Sequence, residues 1–115
     1  MKATLYGIPN CDTMKKARKW LDDHAVAYSF HDYKKARIDE DTLRGWVKEL
    51  GWEVLLNRAG TTFRALPDEA KQGLDEDKAI ALMIANPSMI KRPVLDRAGV
   101  RTVGFKPDIY EGLFS

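Results

Sequence analysis

A change of periodicity along the chain constrains the fold more than any other feature of this sequence. Lys2–Tyr6 alternates as a short strand, and Gly7–Asn10 follows as a turn. A helical pattern then begins at Asp12 and runs to about residue 24, after which alternation returns over Ala27–Tyr33. Two strands joined through a helix form a βαβ unit, so the two strands should be parallel with a right-handed crossover.

The middle of the chain is predicted to be helical. Apolar side chains recur at helical spacing up to Gly51, with Asp39 or Asp41 as the N-cap. They recur again after Asp75, in a helix that must end before Pro87. This part of the chain, about 38–88, therefore predicts a helical insertion.

The last third of the sequence returns to strands. Val94–Leu95 and Arg101–Val103 are predicted strands joined by a hairpin turn at 96–99, and Pro107 is well placed to open a final helix. The order βαβ, helices, ββα fits a sheet with one parallel and one antiparallel half that carries a helical insertion. A chain of 115 residues is expected to form one domain, 1–115.

Composition excludes several classes of function. The net charge of +2, without a Lys/Arg tract, gives no reason to expect nucleic-acid binding. No apolar run is long enough to span a bilayer and no secretory signal precedes the first strand, so the protein is expected to be cytoplasmic, without a membrane partner. One cysteine and two histidines cannot build a four-ligand structural zinc site, so no metal is expected.

The lone cysteine, Cys11, lies between a strand, a turn and the start of a helix. Backbone N–H groups of a first helical turn point at a group in this position, and the helix dipole favours a thiolate there. An ordinary thiol is only about 3% ionised at pH 7, and a dipole effect of about 1 kcal/mol raises this to only roughly 14%. Strong activation therefore requires cations as well, of which Lys15 is one candidate, whereas Asp12 would oppose it. The alternative is that Cys11 is a small buried hydrophobe.

The thiol also lacks a partner within the chain. Met14 stands where a Cys-x-x-Cys motif would place the second cysteine, and is most simply a packing residue. A one-cysteine enzyme must borrow its resolving thiol, and glutathione is the abundant cytosolic candidate. Exchange would pass through a mixed disulfide on Cys11.

A family resemblance adds to these predictions. The segment Tyr6–Ala17, YGIPNCDTMKKA, resembles the opening of the ArsC-like proteins, a group of glutaredoxin-linked arsenate reductases, Spx transcription regulators and YffB-type proteins. Leu55–Arg58 and Lys91–Val94 match further landmarks of the group. The match covers the whole chain and is closest to the YffB type.

The resemblance implies a thioredoxin-like fold, an α/β structure with a mixed four-stranded sheet and a helical insertion. It also implies a cis peptide before Pro93, beside the cysteine loop. In the arsenate reductases three arginines hold the oxyanion: Arg58 and Arg92 match the first two, and Lys106 takes the place of the third. A histidine near the cysteine of those enzymes is replaced by Gly7 here.

These two departures argue against arsenate as the substrate, because lysine is a point charge where arginine grips an oxyanion with a planar fork. They agree with the YffB type, for which a glutathione-dependent thiol reductase role has been inferred. The hypothesis is therefore a glutathione-dependent reductase whose Cys11 thiolate attacks a sulfur substrate or forms a mixed disulfide with glutathione. The alternatives are a glutaredoxin-coupled arsenate reductase and a non-catalytic, Spx-like interaction regulator.

The predicted site has a nucleophile and a set of binding groups. Carboxylates of glutathione or of a small anionic thiol would be bound by Arg58, Arg92 and Lys106. Asn10 and Thr13 would position the sulfur, and Lys15 and Pro93 complete the predicted site. No bound cofactor is expected; glutathione is the expected co-substrate, and glutaredoxin is a second candidate partner.

Overall fold

The structure is a computed structural model that describes residues 3–9, 11–97 and 99–114, with Lys34 described by its backbone alone. These residues form two compact units. The sheet unit is drawn from both ends of the chain, up to Asp32 and from Arg92 onwards, and the helical unit is Tyr33–Lys91. No helix among the described residues is both long and apolar enough to cross a membrane.

Four strands and two helices make up the sheet unit. They are β1 (Ala3–Gly7), α1 (Asp12–Asp23), β2 (Tyr28–Asp32), β3 (Val94–Arg97), β4 (Val100–Val103) and α8 (Pro107–Phe114). The sheet has the order β2-β1-β3-β4, in which β1 is parallel to β2 and antiparallel to β3, while β3 and β4 are antiparallel. The predicted mixed four-stranded sheet, with one parallel and one antiparallel half, is confirmed.

One side of the sheet is covered by α1 and α8. Alternate residues of β1 are wholly buried there, as the period of a strand requires, and α1 contributes residues three and four apart. The buried cluster consists of Ala3, Leu5, Met14, Ala17, Leu21, Leu95 and Tyr110. Aromatic rings close its edge, where Phe105 and Trp20 each meet Tyr110 edge to face at 4.7 and 5.6 Å between centroids.

The hairpin strands extend further than the sequence pattern predicted. β3 continues through the polar residues Asp96 and Arg97, and β4 begins one residue earlier than predicted, at Val100. The reason is pairing rather than propensity, because Asp96 lies opposite Arg101 and their side chains approach to 3.6 Å. Ala98, within the predicted turn, lies outside the described residues.

The helical unit contains six α-helices among its described residues, followed by one 3₁₀-helix. In order these are α2 (Tyr33–Ala36), α3 (Glu40–Leu50), α4 (Trp52–Leu55), α5 (Thr61–Arg64), α6 (Asp68–Lys71), α7 (Glu76–Ala85) and the 3₁₀-helix Pro87–Met89. The predicted insertion at about 38–88 lies within this unit. The description of the whole chain as one domain stays a prediction.

The two longer helices of this unit begin where their capping residues predict. Asp39 accepts from the N–H of Thr42 at 3.0 Å, and Asp75 accepts from the N–H of Lys78 at 2.8 Å. Gly51 ends α3 with a φ of +92°, a conformation that side chains rarely adopt. Helices α2 and α5 were not predicted, because single turns carry too few residues to show a period.

Candidate active site

Cys11 lies where β1 has ended and α1 begins. It is the N-cap residue of α1, with extended backbone (φ −122°, ψ 130°), and its carbonyl accepts the helical hydrogen bond from the N–H of Lys15 at 3.0 Å. Its side chain is half-buried. The sulfur therefore remains accessible while facing the unpaired N–H groups of the first turn.

The surroundings of the thiol favour its ionised form. Burial raises the pKa of Cys11, but hydrogen bonding from the Met14 N–H, from the Arg92 side chain and from the Thr13 N–H lowers it, as does the Arg92 charge. Together the hydrogen bonds and the positive charge outweigh the effect of burial, so the pKa of Cys11 lies below its ordinary value. The N–H groups do not reach the geometry of an ordinary capping hydrogen bond. Their contribution comes from two donors at longer range, supplemented by a full positive charge.

Arg92 reaches the cysteine because of how β3 pairs with β1. Tyr6 lies opposite Val94 in the antiparallel pair, so the residues after Tyr6 run beside the residues before Val94. This brings Arg92 and the buried Pro93 next to the loop that carries Cys11. The Arg92–Pro93 peptide is cis, as the family resemblance implies. The predicted cis peptide is therefore present, and the roles of Arg92 and Pro93 in binding a substrate stay predictions.

The remaining predicted cations lie on the surface of their units. Lys15 is exposed on α1, one turn after the cysteine. Lys106 is exposed and lines a cavity of about 370 Å³ formed by residues 102–106 and Ile109. The segment before it is tied to Pro93, whose carbonyl accepts the N–H of Gly104 at 2.8 Å. Binding of a substrate by Lys15 or Lys106 stays a prediction.

Two further predicted residues lie outside the described part of the sheet unit. Arg58 belongs to the helical unit, where it is exposed and its guanidinium lies 5.8 Å from the centre of the Trp52 ring. Its predicted role in binding a carboxylate stays a prediction. Asn10 lies outside the described residues.

Sequence reasoning missed the contribution of Met14. The residue was interpreted as packing alone, and its side chain is indeed wholly buried. Its backbone N–H, however, makes the largest single hydrogen-bonding contribution to the lowered pKa of Cys11. The signal was present, because an N-cap side chain faces the N–H groups two and three residues further on, which here belong to Thr13 and Met14.

Across residues 3–9, 11–97 and 99–114, no three His, Cys, Asp or Glu side chains group closely enough to hold a metal ion. The site as described is a thiolate held by backbone N–H groups and one guanidinium. Such a site is suited to nucleophilic attack on an electrophilic sulfur or to binding an anion.

Comparison with known proteins identifies the family. Residues 6–113 match the sequence profile of the ArsC family. The chain belongs to the ArsC family. Its membership confirms the resemblance carried by the cysteine segment, and the structure has the thioredoxin-like fold of its ArsC-family neighbours.

Individual members of the ArsC family agree over nearly the whole chain. A solved YffB protein is 61% identical, with a TM-score of 0.96 over 98% of this chain and 99% of its own. An arsenate reductase (ArsC) related protein from Brucella melitensis is 57% identical, with a TM-score of 0.80 over 100% and 96% of the two chains. The global transcriptional regulator Spx of Streptococcus mutans is 28% identical over 107 residues, which cover 91% of this chain and 77% of Spx. The ArsC-family protein described here thus belongs with thiol-based redox proteins and arsenate reductase-like proteins.

Proposed function

We propose that this ArsC-family protein is a glutathione-dependent thiol reductase whose nucleophile is Cys11. One observation carries the proposal: the chain's only cysteine is half-buried at a helix N-terminus, with its pKa lowered against the effect of burial by N–H groups and Arg92. A buried structural cysteine has no need of such surroundings, and its pKa would be raised instead.

The reaction proceeds by two thiol–disulfide exchanges. The Cys11 thiolate attacks the glutathione sulfur of a mixed disulfide, R–S–S–G, and displaces the substrate as RS⁻, which takes up a proton from solvent. A glutathione thiolate then attacks the glutathione sulfur bound to Cys11, forming oxidised glutathione and regenerating the Cys11 thiolate. The balance is one mixed disulfide and one glutathione consumed for one thiol and one oxidised glutathione formed.

Charged groups give the proposed site its preference for glutathione. Arg92 lies at the sulfur and stabilises the thiolate, both as nucleophile and as leaving group in the second step. Lys106, at the cavity of about 370 Å³, offers a positive charge for a glutathione carboxylate. Arg58, which belongs to the helical unit, stays the second carboxylate-binding cation that the sequence predicts. The side chains carry no second thiol, so the resolving thiol comes from solution.

The proposal is tested by mass spectrometry followed by turnover. Incubation with oxidised glutathione should attach one glutathione to Cys11, and excess reduced glutathione should remove it; Cys11→Ser should acquire none. Turnover of a small glutathione mixed disulfide should then be followed as oxidised glutathione formed per enzyme. An adduct without turnover above that of Cys11→Ser would overturn the proposal.

Two relatives suggest the competing outcomes. Turnover of arsenate in a glutathione- and glutaredoxin-coupled assay, without turnover of the mixed disulfide, would favour an arsenate reductase, the enzyme to which the Brucella protein is related. A tightly bound protein partner whose binding is unchanged by Cys11→Ser would favour a regulatory role, since the Streptococcus relative Spx is a transcriptional regulator.

A further inference from the structure

Gly7 and Met14 share one space beside the cysteine loop. Gly7 is the last residue of β1, and Met14 is the third residue of α1. The three atoms nearest to a Cβ built on Gly7 all belong to the Met14 side chain. They are the sulfur, which is the nearest, Cε at 2.7 Å and Cγ at 3.3 Å. The methionine thioether thus occupies the volume that any side chain at position 7 would enter.

The methionine cannot easily leave this volume. Methionine is flexible and commonly adapts to its surroundings. Here, however, its side chain is 0% exposed, enclosed in the cluster that includes Leu5 and Leu21. A side chain at position 7 could therefore be accommodated only by disturbing core neighbours or by shifting the first turn of α1.

The same residue faces the thiolate with its backbone. Met14 is the third residue after the N-cap Cys11, so its N–H lies in the turn that an N-cap side chain faces, and the Thr13 N–H precedes it in the same turn. Backbone donors of this kind act at long range and with imperfect geometry, so their contribution depends on where the turn is held. Anchoring the Met14 side chain against Gly7 fixes this position.

We propose that Met14 is a positioning residue, whose thioether is seated against Gly7 and holds the first turn of α1 with its N–H groups directed at the Cys11 sulfur. Any side chain at position 7 would have to displace the Met14 thioether. This inference deepens the proposed function and rests on it, because it concerns the same thiolate.

The test measures the pH midpoint of Cys11 alkylation in a set of variants. Gly7→Ala should raise the midpoint by about half a unit, which is about a threefold loss of thiolate at a pH below the midpoint. In the Met14→Ala background, Gly7→Ala should raise it no further, since the obstructing atoms are gone. Gly112→Ala is the matched control: a Cβ there meets no atom within 4 Å, and the midpoint should stay at the wild-type value.

A second pair of variants covers the case in which Gly7→Ala does not fold. Met14→Leu retains an apolar side chain of similar volume and should keep the wild-type midpoint, whereas Met14→Ala should raise it. Equal midpoints for wild type and Met14→Ala, or for wild type and a folded Gly7→Ala, would overturn the inference. An ordinary thiol midpoint in the wild type would instead overturn the proposed function, so the two failures are distinguishable.

Discussion

The side chain of Arg92 donates a hydrogen bond to the sulfur of Cys11 and places its positive charge beside it. Arg92 immediately precedes the buried, cis Pro93, and the antiparallel pairing of β3 with β1 sets its position. The guanidinium therefore comes from the segment that leads into β3 rather than from the helix that begins after the cysteine. Within the sheet unit it is the charged side chain that favours the thiolate.

Arg92→Met should raise the pKa of Cys11 by up to about one unit, because the variant loses both the hydrogen bond and the charge. Alkylation with iodoacetamide at pH 7 should slow by up to about tenfold. Arg97→Met, at the end of the strand that follows Arg92, is the matched control, since that guanidinium lies over the Phe114 ring at 4.8 Å. Equal alkylation rates in the Arg92 variant and the wild type would contradict the assignment.

The stability of the fold should depend on the ionisation of Cys11. Since its folded pKa lies below the ordinary value, the unfolded chain holds the thiol proton more tightly, and stability rises with pH between the two pKa values. The contribution is complete above the unfolded pKa and is lost as pH falls through the folded pKa. The difference in unfolding free energy between wild type and Cys11→Ser, measured in reducing buffer, should increase between about pH 6 and about pH 9. A difference that is constant over this interval would count against a lowered pKa.

Arg58 and Lys106 should affect binding rather than activation. Neither contributes to the lowered pKa of Cys11, so Arg58→Ala and Lys106→Ala should leave the pH midpoint of alkylation unchanged. If they bind glutathione carboxylates, each should raise KM for the mixed disulfide, by roughly threefold to tenfold for an exposed charge, with little change in kcat. Lys106→Arg should retain the wild-type KM. Wild-type KM values in both alanine variants would show that neither residue binds the mixed disulfide.

Tyr110 carries a polar atom that the core does not satisfy. Its side chain is wholly buried, and its hydroxyl has no hydrogen-bond partner in the described part of the chain. Tyr110→Phe should therefore stabilise the protein, by about 1 kcal/mol, because a desolvated hydroxyl is removed. Tyr28→Phe is the informative comparison, since its hydroxyl accepts from Arg18 Nε at 3.2 Å and its loss should destabilise. The unfolding free energies of both variants can be measured by chemical denaturation. A lower unfolding free energy for Tyr110→Phe than for the wild type would contradict the interpretation.

Local elements were predictable because their causes are local. Asp39 and Asp75 cap helices through N–H groups three residues away, and Gly51 ends a helix through its own backbone freedom. The extension of β3 through Arg97 was not predictable in this way. Asp96 and Arg97 belong to β3 because β4 pairs with them. The pattern of residues within one strand does not show which strand will pair with it.

By itself, the sequence determined the strand–turn–helix unit, the N-cap position of Cys11 and the absence of a second thiol. Each of these depends on residues within one or two turns of each other. The family resemblance pointed to Arg92, but only the tertiary structure placed its side chain at the Cys11 sulfur and the Met14 thioether against Gly7. The first depends on pairing between β1 and β3, and the second on close packing in the core, and neither can be read from a local pattern of residues.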